Sequence, residues 1–158
     1  MSSGFQFEVR SLRFLEKESF VAINSGKVVL GGLVAGVVAN LLDYVFQGIV
    51  LRPDFETMQQ RLNLDPAAAS NPVPWIVVDF VLGFLLIITY VGFRARWGPG
   101  PKTAIYAGIV IYVAIAAMMG ALTTIGVFAM DTYMKSSALS LVTLMCSSLA
   151  GAYVYKES

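Results

Sequence analysis

Four long apolar segments, separated by short polar stretches, dominate the pattern of hydrophobic and polar positions along the chain. They run from about residue 28 to 51, 75 to 93, 103 to 130 and 136 to 155. Each is close to or above the roughly 20 residues that an α-helix needs to cross a bilayer core. Strands that cross a membrane would alternate apolar and polar residues, and these segments do not. The pattern predicts an all-α, polytopic membrane protein with four transmembrane helices in an up-down bundle.

The chain divides into an N-terminal segment, residues 1–26, and a single transmembrane domain, residues 27–156. The segment carries mixed charges, and Phe5, Phe7 and Val9 alternate with polar residues. It lacks the early apolar region of a cleaved signal peptide, so we expect the first span to be an uncleaved anchor. The segment is predicted to lie at the membrane interface or against a partner, or else to be a partly ordered tail.

Lys and Arg are distributed unequally between the two sides of the predicted bundle. One side has eight: Arg10, Arg13, Lys17, Lys27, Arg94, Arg96, Lys102 and Lys156. The other side has three: Arg52, Arg61 and Lys135. Because Lys and Arg mark cytoplasmic loops, both termini and residues 94–102 are predicted to be cytoplasmic. The stretch "RARWGPGPKTA", with two Gly-Pro pairs, then reads as a cationic hairpin that fixes topology; the alternative is recognition of anionic lipid headgroups by Arg94, Arg96 and Lys102.

The loop on the other side, residues 52–74, contains a helical pattern of its own. Pro53 and the acids that follow it are typical of a helix start, and Phe55, Met58 and Leu62 fall on one face. We expect a short amphipathic external helix, about residues 54–63, lying flat on the outer membrane surface. It would either cap the end of the bundle or capture a substrate.

Composition narrows the function further. The net charge is +1, which gives no electrostatic footprint for nucleic acid. Without histidine, the chain lacks the commonest metal ligand and the commonest general base. The single cysteine, Cys146, is predicted to be a buried apolar side chain. No metal, cofactor or catalytic residue is predicted.

Small residues recur every three or four positions within three of the spans. The first span has Gly32, Gly36, Asn40, Tyr44 and Gly48; the third has Ala104, Gly108, Ala116, Gly120 and Thr124; the fourth has Ser140, Thr143, Ser147 and Gly151. Small side chains let membrane helices approach closely. We therefore expect these stripes to be helix-packing surfaces, principally through Gly32, Gly36, Gly108, Gly120, Ser140, Ser147 and Gly151.

Two carboxyl groups lie inside the spans, Asp43 and Asp79, both in the external half. Asn40, Asp43 and Gln47 share one helix face by their spacing. A carboxylate that faced lipid would cost at least about 2.5 kcal/mol, so both acids are expected to face the bundle. Their expected neighbours are Tyr44, Thr123, Thr124 or Lys135. Such acids are either functional or structural hydrogen-bonding groups.

The segments "GGLVAGVVANLLDYVFQGIVL", "RARWGPGPKTAIYAG" and "LAGAYVYKE" resemble a family of small bacterial inner-membrane proteins with four spans. The similarity covers most of the chain from Gly26 onward. It implies a fold and a location in the bacterial inner membrane, and it carries over no catalytic residues.

Three functions compete on this evidence. The first is a non-enzymatic scaffold or accessory subunit of a larger membrane complex, with lipids and other membrane subunits or itself as partners. The second is a small proton- or ion-coupled carrier that uses Asp43 and Asp79. The third is an enzyme acting on lipid, for which no nucleophile with a base is visible.

Topology gives a first prediction. Single cysteines at Ser70 and Ser158, in a Cys146→Ser background, should be labelled from opposite sides of the membrane, because the loop at 52–74 is external and the C-terminus cytoplasmic. Labelling of both by an impermeant reagent added outside intact cells would contradict this topology.

Overall fold

The computed structural model describes residues 23–69 and 71–155, apart from the side chains of residues 68 and 69. The helices are α1 (Ser25–Val45), which continues as a π-helical turn (Phe46–Val50), α2 (Arg52–Arg61), α3 (Pro66–Ala69), α4 (Val73–Trp97), α5 (Pro101–Thr124) and α6 (Met130–Val154). Four of them, α1 with its π-turn, α4, α5 and α6, are long and apolar enough to span a membrane. The predicted all-α, four-span fold is confirmed. The predictions for residues 1–22 lie outside the described residues.

The third and fourth spans have different bounds from those of the apolar segments. The third apolar segment extends to residue 130, but α5 ends at Thr124. Gly126 then adopts a φ of 80°, a left-handed conformation that no helix continues through. The chain returns into α6 at Met130, after an extended Ala129.

The four spans pack antiparallel, with α1 between α4 and α6. Gly32 of α1 contacts Phe84 of α4, and Gly36 contacts Phe80 and Gly83. Residue numbers rise along α1 as they fall along α4, so the two helices are antiparallel. The helix α5 packs mainly on α6 and to a smaller extent on α4. The core of buried side chains lies between these helices and includes Ala35, Ile87 and Tyr90.

The closest approach in the bundle joins the backbones of α1 and α4 at Gly83. A Cβ atom on Gly83 would lie 2.5 Å from the backbone nitrogen of Gly36 and 2.6 Å from the carbonyl oxygen of Gly32. No rotation of a side chain relieves such a contact, because both groups belong to the backbone. The α1–α4 interface therefore requires glycine at position 83.

A second close approach joins α1 to α6, nearer the N-terminal end of α1. A Cβ on Gly151 would lie 2.7 Å from the carbonyl oxygen of Gly31 and 3.0 Å from the Cβ of Ala35. The side chain of Ile87, from α4, contacts the same site. Three helices thus meet around Gly31, Ile87 and Gly151, as expected where small residues replace a hydrophobic driving force.

The α4–α5 hairpin is shorter than the cationic stretch suggested. Arg94 and Arg96 belong to the last turn of α4 and Lys102 to the first turn of α5, so the turn itself spans residues 98–100. Gly98 and Gly100 have φ values of 79° and 142°, which side chains other than hydrogen strongly disfavour. The hydroxyl of Thr103 closes the turn by donating to the carbonyl oxygen of Gly98 over 2.8 Å.

Gly83→Ala tests the α1–α4 contact. The added methyl should lower the free energy of unfolding by about 1–3 kcal/mol, a typical cost of overpacking. The matched control is Gly92→Ala in the same helix, where an added Cβ meets nothing within 4 Å. Thermal unfolding in detergent should show a lower midpoint for Gly83→Ala alone. Equal midpoints for the two variants would show that α1 and α4 are not in backbone contact at this position.

Candidate functional site

Polar side chains line the contact between α1 and α6 in the half of the bundle that adjoins α2. The hydroxyl of Thr143 donates to Oδ1 of Asp43 over 2.8 Å. One turn along, Gln47 accepts from the hydroxyl of Ser136 over 3.0 Å and donates to Ser140 over 3.3 Å. The predicted face of Asp43 and Gln47 therefore points at α6, and its polar groups are paired within the bundle.

Asn40 lies on the α4 side of the same helix. Its Nδ2 donates to the carbonyl oxygen of Gly36 over 2.9 Å and to that of Ile76 over 3.4 Å. The second bond crosses from α1 to the first turns of α4. Asn40 therefore extends the glycine contact of α1 and α4 by one further turn.

Asp79, on α4, is the most buried of the charged side chains in the described residues, with 7 % of its surface exposed. Within residues 23–69 and 71–155, no Lys or Arg forms an ion pair with the carboxyl of Asp79 or of Asp43. Both acids face the bundle: Asp43 binds Thr143 of α6, and Asp79 is buried on α4.

The other predicted packing residues lie on α5 and α6. Gly108 faces Met145 and the carbonyl oxygen of Leu144, and Gly120 faces the ring of Tyr133. Ser147 is fully buried, and its hydroxyl finds no hydrogen-bond partner among the described residues. Ser140 is half-buried beside Gln47.

The expected neighbours of the acids were wrong. Tyr44 is 69 % exposed, and Lys135 pairs instead with Asp54 at 2.8 Å and with Asp131 at 3.5 Å. Thr123 and Thr124 donate to carbonyl oxygens of their own helix, Gly120 and Ala121. The hydroxyl of a threonine in a helix reaches the preceding turn easily, and that local bond satisfies it without a distant partner.

The predictions that Gly48 belongs to a packing surface and that Cys146 is buried were wrong, because both residues point away from the neighbouring helices. A Cβ on Gly48 would contact only Tyr44 of its own helix, because the stripe of α1 rotates away from its neighbours toward the π-turn. Cys146 is exposed rather than buried. It lies on the outward side of α6, whereas Thr143 and Ser147 occupy the inward side.

The helix α2 is tied across one end of the bundle. Arg61 donates to the carbonyl oxygens of Gly126 and Val127 at 2.9 and 2.7 Å, in the loop between α5 and α6. Asp54, at the other end of α2, pairs with Lys135 of α6. These contacts favour a cap over the end of the bundle, rather than substrate capture, as the role of this segment.

A small cavity of about 40 Å³ lies between α5 and α6 beneath that loop. Its polar wall includes Tyr112, whose hydroxyl is 2.9 Å from that of Ser137, and Tyr133, which donates to the carbonyl oxygen of Ala116 at 3.0 Å. About 10–15 Å³ admits one water molecule, so this cavity has room for two or three.

Aromatic rings surround the basic residues at the opposite end. The guanidinium of Arg94 lies 5.5 Å from the centre of the Tyr155 ring, a cation–π distance. Trp97 packs on Phe93 and on Tyr106, with ring centroids 4.8 and 5.3 Å apart. Arg96 and Lys102 are exposed. Recognition of lipid headgroups by Arg94, Arg96 and Lys102 stays a prediction.

The sequence did not predict two features that organise this region. One is the backbone contact at Gly83, and the other is the hydrogen bond of Thr143 to Asp43. Gly83 and Gly92, the two glycines of α4, lie nine residues apart, so no stripe with a spacing of three or four residues identified Gly83. Thr143 belongs to a recognised stripe, but spacing along one helix does not reveal which residue of another helix faces it.

Comparisons with protein-family models, with curated proteins and with solved structures found no match to this chain.

Thr143→Val should weaken the α1–α6 contact, because it removes the donor to Asp43 and keeps the shape of a side chain that is 2 % exposed. Hydrogen bonds between membrane helices average about 0.6 kcal/mol, so a loss of that order is expected. Thr124→Val, which removes a bond within one helix at an exposed position, is the control for thermal unfolding. An equal loss in both variants would contradict a specific role for the Asp43–Thr143 bond.

Proposed function

We propose that this protein is a non-enzymatic scaffold or accessory subunit of a larger membrane complex, and that α5 provides the surface on which a helix of another subunit packs. The proposal rests on one face of α5. Ala107, Ala114 and Ala121 recur every seven residues and so share that face. Ala107 is fully buried within the core, whereas Ala114 and Ala121 are exposed.

The exposure of the later part of α5 is matched by exposure of the first residues of α4. The fully buried residues of α5 all lie in its first two turns, and the first six residues of α4, 73–78, are exposed. In α5, 11 % of the apolar 18-residue stretch is buried, against 28–33 % of the corresponding stretch in the other spans. An open alanine face beside an exposed apolar helix start matches the small-residue surfaces on which membrane helices associate.

The proposed location is the bacterial inner membrane, with both termini in the cytoplasm. The excess of Lys and Arg on one side of the bundle supports the orientation. The resemblance of the Gly-rich first span and the GPGPKT loop to small bacterial inner-membrane proteins supports the membrane.

Photocrosslinking in cells tests the scaffold function. A photoreactive residue at Ala114 should form a protein adduct of one discrete mass, and Ala121→Leu in the same molecule should abolish it by filling the face. Ala138, an exposed alanine on α6, is the control for both the crosslinker and the leucine substitution. Adducts of equal yield from Ala114 and Ala138, or adducts to lipid alone, would contradict the proposal.

The acid pair favours a second candidate, a proton- or ion-coupled carrier. Asp43 of α1 and Asp79 of α4 both lie within the membrane-spanning part of the bundle, where ionisable residues commonly mark ion pathways. Asp43→Asn keeps the shape and the acceptor for Thr143 but cannot titrate. In liposomes, a wild-type proton or cation flux abolished in a normally folded Asp43→Asn variant would establish the carrier, and no wild-type flux would eliminate it.

A further inference from the structure

The cavity between α5 and α6 is lined by five side chains that carry hydroxyl groups, those of Tyr112, Tyr133, Ser136, Ser137 and Ser140. A hydroxyl group has one hydrogen to donate and two lone pairs that accept. Polar groups inside proteins are nearly always paired, and the hydrocarbon region of a membrane offers no bulk water to groups that the protein leaves unpaired. The hydrogen bonds of these five hydroxyls therefore determine what else the cavity must bind.

Two of the five hydroxyl hydrogens have no acceptor among the described residues. The oxygens of Tyr112 and Ser137 are 2.9 Å apart, and only one of their two hydrogens can lie between them. The oxygen of Ser140 accepts from Nε2 of Gln47 at 3.3 Å, and the hydrogen of Ser140 meets no acceptor in the described part of the chain. The wall of the cavity thus has two hydrogen-bond donors that are still to be used.

The same wall also has unused acceptors. Tyr133 donates its hydrogen to the carbonyl oxygen of Ala116, and Ser136 donates to Gln47, so the hydroxyl oxygens of both keep lone pairs. No charged side chain lines the cavity among the described residues. A metal cation would pair only with the lone pairs, and an anion only with the hydrogens. A small neutral molecule that both donates and accepts is the ligand that satisfies both kinds of group.

The rest of the wall is apolar and includes Ile115, Met119 and Phe128. The end of a lipid chain would fit these three side chains, but it would leave both hydroxyl hydrogens unpaired. Size also limits the ligand. The volume of about 40 Å³ is well below the roughly 150 Å³ of an apolar cavity that binds benzene.

We propose that this cavity is a water-binding site, in which a cluster of about two or three water molecules accepts from the Tyr112–Ser137 pair and from Ser140. A buried water molecule typically makes about three hydrogen bonds, and the hydroxyls of this wall supply them. The cluster joins three helices, because Tyr112 belongs to α5, Ser140 to α6 and its partner Gln47 to the π-turn of α1.

The water cluster brings hydration close to Asp43. Gln47 follows Asp43 by four residues, about one helical turn, and Ser140 precedes Thr143, the partner of Asp43, by three. Hydrogen bonds therefore run from the water through Ser140 to Gln47 and end about one turn from the carboxyl. The inference goes beyond the scaffold function, which needs no bound water, and it does not depend on whether the protein carries protons.

Radiolytic labelling of the purified full-length protein in lipid nanodiscs tests the site. A short X-ray pulse converts water to hydroxyl radicals, which oxidise the side chains next to that water. Met119 lines the cavity, whereas the adjacent Met118 is 58 % exposed on the surface of the span, where lipid excludes water. Both side chains are thioethers with the same intrinsic reactivity, so the ratio of their rates reports the local water. We expect Met119 to be oxidised several times faster than Met118.

Ser137→Val removes a hydroxyl and fills part of the cavity, so it should lower the Met119 rate to that of Met118. Ser148→Ala is the matched control, because Ser148 belongs to the same helix but donates to a carbonyl oxygen outside the cavity. It should leave the Met119 rate unchanged. Equal rates at Met118 and Met119 in the wild type, as a lipid chain in the cavity would produce, would overturn the proposal. An undiminished Met119 rate in folded Ser137→Val would overturn it too. If Ser137→Val does not fold, the wild-type ratio still decides.

Discussion

The backbone contact between Gly83 of α4 and the Gly32–Gly36 turn of α1 is the constraint on which the rest of the bundle depends. It fixes both the separation and the register of the two helices, because backbone atoms on both sides leave no freedom for adjustment. In lipid, where burial of apolar side chains gives no net drive, such close packing is a principal source of helix association. The other contacts of α1 follow from it.

With α4 in place on one side of α1, α6 occupies the other side through Gly31 and Gly151, and Ile87 of α4 reaches the same point. Small apolar residues and polar residues occupy different halves of the bundle along its axis. Glycine and alanine occupy the half near the Gly98–Gly100 turn, and the contacts Asp43–Thr143 and Gln47–Ser140 occupy the half near α2. α5 is the exception, since it packs mainly on α6 and leaves the face of Ala114 and Ala121 uncovered. Three helices, α1, α4 and α6, thus pack closely together, and α5 completes the bundle from the side of α6.

The sequence predicts the number of spans, their approximate limits and the inward orientation of the two acids, because hydropathy and the cost of a lipid-facing carboxylate act on each span separately. It does not predict which residues of different helices meet. Asp43 was expected beside Lys135 or Thr124 and instead meets Thr143, because register is set by the glycine contacts of the folded bundle. Cys146 shows the same limit: composition predicts a buried thiol, and only the rotation of α6 places it outward.

The register of α1 against α6 is the central claim, because it places the acids, Ser147 and Ala39 in neighbouring layers. Disulfide formation between Ala39→Cys and Ser147→Cys, in a Cys146→Ser background, measures it most directly, since that pair lies between two contacts. The out-of-register pair Ala39→Cys and Ser140→Cys is displaced by seven residues, or about 10 Å along the helix. Rapid oxidation of the first pair and none of the second is the predicted result. Equal oxidation of both pairs, or oxidation of the second alone, would contradict the arrangement of the three helices.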